Sequence, residues 1–505
     1  MDRFCEWNDV MSSSCECSQL FAIAPTGIVG LGGMLVALTK PGRERTPGLL
    51  AAALLVLALA VVIWLEGVYL PSSIQTTSIF GAGFLTDPFT WFFTVAILAG
   101  ALITVLLSLG QLTTLGIASS PEFYGLLLMT TAAAIVLVGA GELITLFIGL
   151  EALSMGLYCL CGSAISSRRS VEGALKYFIL GSFSSAFFLY GIAVLYGVGG
   201  STELAVIADQ LPNANRALAS LGIGLVLVGV FFKLGAVPFH FWAPDVYQGA
   251  PTPVTAYMAS VVKAAAVAMA MRLLWTAFGD PVVVTWWSGF TWMVALLTMI
   301  GGNVIAVRQR NVKRMLAYSS IAHVGYMTAA LLAPSGQYGG GPAILFYVIV
   351  YSLATFGAFA VSMVITGSKV DTADADDIGL FSGLGKRNPA LAATMSLFLL
   401  AMAGLPPGVV GLVGKFYLLS AVVNTHYLGL AIIAGLCSAV SCYYYLRVVM
   451  AMYFQAPAND AAQAIPVSAS IRLVLAAMVG LSLLIGLAPS PLYNRAQAVL
   501  LTLSR

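Results

Sequence analysis

Residues 231–263 read FFKLGAVPFHFWAPDVYQGAPTPVTAYMASVVK. Apolar, helix-competent sequence runs up to Lys233 and breaks at Pro238. The chain then passes His240, Pro244, Asp245, Pro251 and Pro253 and re-enters an apolar run that holds Lys263. Two lysines therefore sit inside long apolar segments on either side of a proline-rich interruption. At the centre of a membrane helix a charged side chain costs about 2.5–3.5 kcal/mol on insertion scales. Broken helix at that depth is tolerated only where it is buried in protein or lines a wet cavity. Together these features point to an ion path. The plainer alternative is one lysine reaching to the interface beside an ordinary loop.

Composition supports the membrane setting. Of 505 residues, 60% are hydrophobic and 9% charged, and the mean hydropathy is +0.96. Soluble domains carry roughly 25% charged residues. The net charge of +3 and the lack of a basic cluster interleaved with aromatics give no sign of nucleic-acid binding. The polar N-terminus, MDRFCEWNDVMSSSCECSQL, lacks the basic and apolar regions of a signal peptide. The first apolar segment is therefore expected to be a retained span. None of the seven cysteines forms a C-x-x-C pair or a zinc or iron–sulfur set. Cys159, Cys161, Cys437 and Cys442 read as small core residues. Cys5, Cys15 and Cys17 could supply a disulfide if that end lies outside.

At about 20 apolar residues per span, the chain reads as an all-α polytopic membrane protein of about fourteen transmembrane helices. The segments are 21–39, 49–70, 88–109, 122–140, 142–163, 174–198, 217–249 (broken), 252–278, 283–307, 313–333, 342–366, 389–424 (broken), 427–454 and 468–489. Loop charges orient them. Alternate loops carry Lys40, Arg43, Arg45, Arg168, Arg169, Arg308, Arg310, Lys313, Arg314, Lys369, Lys386 and Arg387 on one side, against Arg3, Arg216, Arg495 and Arg505 on the other. The first set should face the cytoplasm of a bacterial-type inner membrane, with both termini on the periplasmic side.

Lys233 precedes the break at Pro238, and Lys415 follows the break at Pro406–Pro407. Paired broken helices in corresponding halves are a pointer to inverted repeats. The expected division is 1–121, three N-terminal spans; 122–278 and 283–454, two inverted five-helix repeats with one broken helix each; and 455–505, a C-terminal helix.

Further ionisable groups lie within apolar runs: Glu151 in FIGLEALSMGLY, Lys176 in GALKYFILG, Lys263 in ASVVKAAAVAMAM and His323 in SSIAHVGYM. With Lys233 and Lys415 they make a candidate proton-transfer chain. Apolar surroundings disfavour a charged form, and an adjacent opposite charge restores it. Moving Glu151 relative to its lysine partner would then load and unload Lys233. Each residue also has a structural alternative: a static ion pair for Glu151, a snorkelling Lys176, a satisfied core histidine for His323. Arg272, Arg447 and Arg472 lie towards span ends and read as anchors. No G-x-x-x-x-G-K-[ST] loop, dinucleotide fingerprint, haem, flavin or zinc constellation appears. Energy must then arrive from partners or an ion gradient.

The segment KLGAVPFHFWAPDVYQGAPTPVTAYMASVVKAAA closely resembles the hallmark of the antiporter-like membrane subunits of respiratory NADH–quinone oxidoreductase (complex I). Within that group it is most similar to subunit N, the relative of mitochondrial subunit 2. RMLAYSSIAHVGYM and AGLPPGVVGLVGKFYLL resemble two further signatures, and the similarity covers essentially the whole chain. The resemblance implies fourteen helices, inverted five-helix repeats, and a proton path through Glu151, Lys176, Lys233, Lys263 and Lys415. It also implies other membrane subunits and the lipid bilayer as partners. No cofactor is implied in this chain: FMN, iron–sulfur clusters and quinone would belong to partner subunits. One departure is visible. Gly408, Val409, Val410, Gly411 and Leu412 follow Pro407 where the family usually has Thr–x–Gly–Phe, so hydroxyl and aromatic contacts are lost there. The rival readings are a subunit of a stand-alone cation/proton antiporter, with the same fold and lysines, and a scaffold bridging neighbouring subunits.

Overall fold

The computed structural model describes residues 23–40, 45–69, 77–79, 81–112, 114–115, 117, 120–333, 339–367, 376–425, 427–456 and 467–500. Cys5, Cys15, Cys17, Arg3, Arg43, Lys369 and Arg505 lie outside them, and with them the proposed N-terminal disulfide. The chain is a helical membrane protein. Eleven of its described helices are long and apolar enough to cross a bilayer, and three shorter apolar ones accompany them.

The helices in order are α1 (Ala24–Ala37), α2 (Arg45–Tyr69), α3 (Pro88–Ser108), α4 (Ser120–Gly139), α5 (Leu143–Cys161), α6 (Arg168–Gly199), α7 (Leu204–Gln210), α8 (Arg216–Leu234) and α9 (Ala243–Gly249). Next come α10 (Thr252–Ala277), α11 (Pro281–Arg308), α12 (Val312–Leu331), α13 (Gly340–Thr366) and the single-turn α14 (Leu384–Arg387). The last are α15 (Pro389–Ala403), α16 (Val409–Val423), α17 (Leu428–Phe454), α18 (Ala469–Leu487) and α19 (Ser490–Leu500). A helix or helix pair occupies each expected segment. Composition alone does not mark α12 as a span, because it carries Lys313, Arg314 and His323.

Besides the single-turn α14, several elements are additional to the sequence reading. An antiparallel hairpin pairs Thr77–Ile79 with Phe84–Thr86. The short helix α7 lies between α6 and α8. The single expected C-terminal helix is two, because Pro489 and Pro491 interrupt it; the second, α19, is amphipathic and buries Tyr493, Ala496 and Val499.

Starts and stops follow local chemistry. Asp87 caps α3 by accepting from Thr90 N at 2.7 Å, just ahead of Pro88 at the first helical position. Asp280 and Asn388 do the same ahead of Pro281 and Pro389. Both predicted breaks are present and share one stop. At Gly235 (φ +74°) and Gly404 (φ +82°) the backbone turns left-handed. The glycine and the residue after it then donate back to the last helical turn, closing a Schellman motif. After each stop a short linker leads into a new helix, α9 or α16.

Burial is graded. The most apolar window of α10 is wholly buried, and that of α13 is 89% buried, whereas those of α2, α6 and α18 are only a third buried. Helix α10 packs against α3, α4, α8 and α13, which sets Lys263 at the centre of the molecule. The outer helices present large apolar side chains such as Ile148, Phe183, Leu436 and Leu484. In water that would be a liability; in lipid it is the expected face.

Candidate functional site

Lys233 sits in the last turn of α8, where unpaired carbonyls favour a cation. It is 3% exposed. Its Nζ donates to Ser154 Oγ at 2.8 Å and Tyr177 Oη at 3.3 Å, and lies 5.7 Å from the Tyr177 ring centre. Ser154 gives its own proton to Leu150 O at 2.6 Å, so its lone pairs are free for the ammonium. Glu151 lies three residues before Ser154 on α5, hence on the same helix face. Its carboxylate accepts from the Ser185 hydroxyl of α6. The link from Glu151 to Lys233 thus runs through one helical turn and a serine, and no ion pair joins Glu151 among the described residues.

Lys263 follows immediately on a π-turn, Met258–Val262, inside α10. Such wide turns recur at functional sites. Its Nζ donates to Ser320 O at 2.9 Å and to the Ser320 hydroxyl. Tyr351 Oη donates to Ser320 Oγ at 2.7 Å. Next door, both ring nitrogens of His323 are engaged: Nδ1 with Tyr347 Oη at 2.6 Å, Nε2 with Tyr445 Oη at 3.1 Å. Tyr445 also bonds to the Ser319 hydroxyl. A neutral imidazole has one donor and one acceptor, and a phenol can be either. His323 therefore fills its partners and is at the same time wired to pass a proton.

Lys415 of α16 reaches back across the second break. Its Nζ donates to Ala403 O at 2.9 Å and to Ser438 Oγ at 2.9 Å, and lies 5.4 Å from the Tyr326 ring centre. Ala403 is the last residue of α15, so its carbonyl has no partner within the helix. The break supplies the oxygen that holds the lysine.

Lys233, Lys263 and Lys415 are all at most 6% exposed. None takes part in an ion pair among the described residues. Each is solvated by hydroxyl and carbonyl oxygens alone, which accommodate an ammonium without pinning its charge as a carboxylate would. Between Lys233 and Lys263 lies an aromatic bridge. Tyr177 stacks on Trp242 at 4.5 Å, and Trp242 meets Tyr247 edge-on at 6.3 Å.

Lys176 is placed elsewhere. Its side chain is 44% exposed and pairs with Glu172 at 2.8 Å and Asp245 at 2.9 Å. Asp245 also accepts from Arg314 at 2.6 Å. This cluster edges an open polar cavity of about 180 Å³ and is separate from the buried line. The structure thus brings Lys263 beside His323 through the adjacent Ser319 and Ser320, sets Glu151 one turn from the serine holding Lys233, and leaves Lys176 at the rim.

Two expectations need correction. Arg272 is no interfacial anchor: it is 2% exposed and donates to both Asp87 oxygens at 2.9 and 3.1 Å, to Thr90 Oγ1 at 2.9 Å and to Val138 O at 3.1 Å. The capping carboxylate of α3 gives it a buried partner that hydropathy does not show. Cys159 is exposed rather than a core residue, because α5 turns that side outward; Cys161 and Cys437 are buried and Cys442 is intermediate. Ser154, Tyr177, Ser185, Ser320, Tyr347, Tyr351, Tyr445 and Ser438 were not singled out from sequence. Uncharged hydroxyls in apolar spans are common, and only spacing offered a hint, as for Ser154 beside Glu151. Among the described residues no group of three or more His, Cys, Asp or Glu could hold a metal ion.

Broken membrane helices that meet buried, hydroxyl-solvated lysines define an antiporter-like membrane protein. The profile of the family described as NADH:quinone oxidoreductase/Mrp antiporter, transmembrane region, matches residues 140–440, and the chain belongs to this family. It is 40% identical over 492 residues to NADH-quinone oxidoreductase subunit N 1 of Sorangium cellulosum, covering 93% of this chain and 96% of that protein. It is 42% identical over 425 residues to subunit N of Trichlorobacter lovleyi, covering 84% and 85%. Among solved structures it resembles a chain of respiratory complex I from Thermus thermophilus, with TM-score 0.78, 32% identity, and 94% and 98% of the two chains covered. A chain of the Mrp complex from Dietzia shares the fold alone, at 19% identity, TM-score 0.81, and 96% and 97% coverage.

Proposed function

We propose that this chain is the proton-translocating, antiporter-like subunit N of a bacterial-type NADH–quinone oxidoreductase. The observation that carries the reading is the set of three buried lysines held only by hydroxyl and carbonyl oxygens, with His323 wired between two tyrosines. A lysine without a carboxylate clamp can release its proton when the surrounding charge changes. Quinone reduction elsewhere in the complex drives that change, and FMN, iron–sulfur clusters and quinone belong to partner subunits. Glu151 biases Lys233 from one turn away. The proton then passes from Lys233 to Lys263, through the Ser320–His323 cluster, and on to Lys415. Lys176 acts at the rim, in the Asp245–Arg314 cluster.

The architecture we infer has fourteen spans and two inverted repeats, 122–278 and 283–454. The matching Schellman stops at Gly235 and Gly404 support it. Both termini lie on the periplasmic side, as the excess of Lys and Arg in alternate loops suggests. The stand-alone cation/proton antiporter is less favoured, since the relatives of higher identity are oxidoreductase subunits.

The test uses inverted membrane vesicles carrying wild-type protein or Lys233→Ala. NADH-driven quinone reduction and interior acidification are followed together. Loss of both, or of acidification alone, in an assembled complex is expected. Wild-type values for both would refute the proposal and direct attention to sodium- or potassium-linked proton exchange.

A further inference from the structure

A second cleft has a volume of about 350 Å³. Its walls come from α2, α3, α10, α13, α18 and α19, and are apolar side chains such as Phe92, Ala96, Ile103 and Leu353. One end carries the ion pair of Arg495 with Glu66, whose side chains remain 39% and 21% exposed. That end is set by chain order: Glu66 is near the end of α2, Phe92 near the start of α3, and Arg495 on the helix that follows α18. The other end reaches Gly100, Ser260 and Ala264, the last two flanking Lys263 on α10.

The dimensions suit one occupant. From Phe92 to Ile103 helix α3 rises about 16 Å at 1.5 Å per residue. This is about half of a ~30 Å hydrocarbon core, the depth of one leaflet. An apolar slot one leaflet deep with a guanidinium at its outer end matches a lipid tail and its headgroup. Arg495 offers more donors than the Glu66 carboxylate takes up, and a phosphate can accept two of them. We propose that this cleft holds an acyl chain of an anionic phospholipid whose phosphate engages Arg495. The chain then lies against the π-turn beside Lys263, so bilayer lipid becomes part of the wall that positions that lysine. The inference goes beyond the proton-transfer reading and rests on the lining of this cleft.

The experiment uses the whole complex, reconstituted with phosphatidylglycerol bearing a diazirine in mid-chain, or the matching diacylglycerol, which has the same tails and no phosphate. Labelled peptides are mapped by mass spectrometry. Residues 92–103 and 260–264 should be labelled more heavily than the outward face of α6 around Phe183, and more by the lipid with the phosphate than by the one without. Ala99→Trp, which fills the slot, should reduce that labelling severalfold, with Val95→Phe as a second blocking variant. Arg495→Gln should abolish the headgroup preference. Labelling no heavier than at Phe183, equal labelling by both lipids in wild type, or labelling indifferent to either blocking variant would overturn the proposal. So would displacement of the lipid label by a photoreactive quinone.

Discussion

Asp87→Asn isolates the charge of the buried pair that fixes α10. Asparagine caps a helix as well as aspartate, so the bond to Thr90 N survives while the charge opposite Arg272 is lost. Both partners are only 2% exposed. Removing one member of such a pair costs about 3–5 kcal/mol, because the other is left buried and uncompensated. At 1.36 kcal/mol per tenfold, the folded population relative to the unfolded falls by about two to nearly four orders of magnitude. Arg272 lies nine residues beyond Lys263 on the same helix, so loosening this clasp frees the end of the element that carries the central lysine. The assay is heat-induced loss of the assembled complex in detergent, read on native gels beside NADH–quinone reductase activity. Asp87→Asn should lower the midpoint clearly. Asp87→Asn combined with Arg272→Met should recover much of the loss, since an apolar replacement of a buried pair is often neutral. A midpoint unchanged by Asp87→Asn, or a double variant worse than the sum of the singles, would refute the argument.

Other outcomes follow from the same geometry. Ser320→Ala removes the hydroxyl that Lys263 and Tyr351 share but leaves the Ser320 carbonyl at 2.9 Å. Proton transfer should slow severalfold without disassembly, measured as acidification per NADH oxidised. Lys176→Ala should leave assembly nearly intact, since pairs this exposed contribute about 0–1 kcal/mol; thermal midpoints check it, and a large drop would show that the Asp245 cluster carries structure.

The membrane class was legible because charge is so scarce that each buried ionisable residue stands out against apolar sequence. Lys233, Lys263, His323 and Lys415, all buried, and the half-buried Glu151 stood out in this way. So did the two breaks, because proline beside glycine leaves a helix few ways to continue. What escaped depends on which way a helix faces. Lys176 begins an apolar run just as the others do, yet α6 turns it to the rim, where Glu172 and Asp245 hold it. Arg272 looked peripheral by position, and only its meeting with Asp87, 185 residues earlier, shows it to be buried. The hydroxyls around each lysine carry no charge, so counting charges passes over them, although they decide how the lysines are solvated. Helix α19 escaped because its apolar residues face one side only, and a span-length window averages them away.

The most direct test of the central claim is the proton yield per NADH with Lys263→Ala, in vesicles whose complex content is verified on native gels. Lys263 is the lysine at the centre of the molecule, held by Ser320, which also accepts from Tyr351 and lies beside the His323 cluster. An assembled complex is expected whose interior acidification per NADH oxidised falls well below wild type, with or without slower oxidation. Wild-type yield at wild-type rate would contradict that claim, because a path that ignores its central lysine is not the path described.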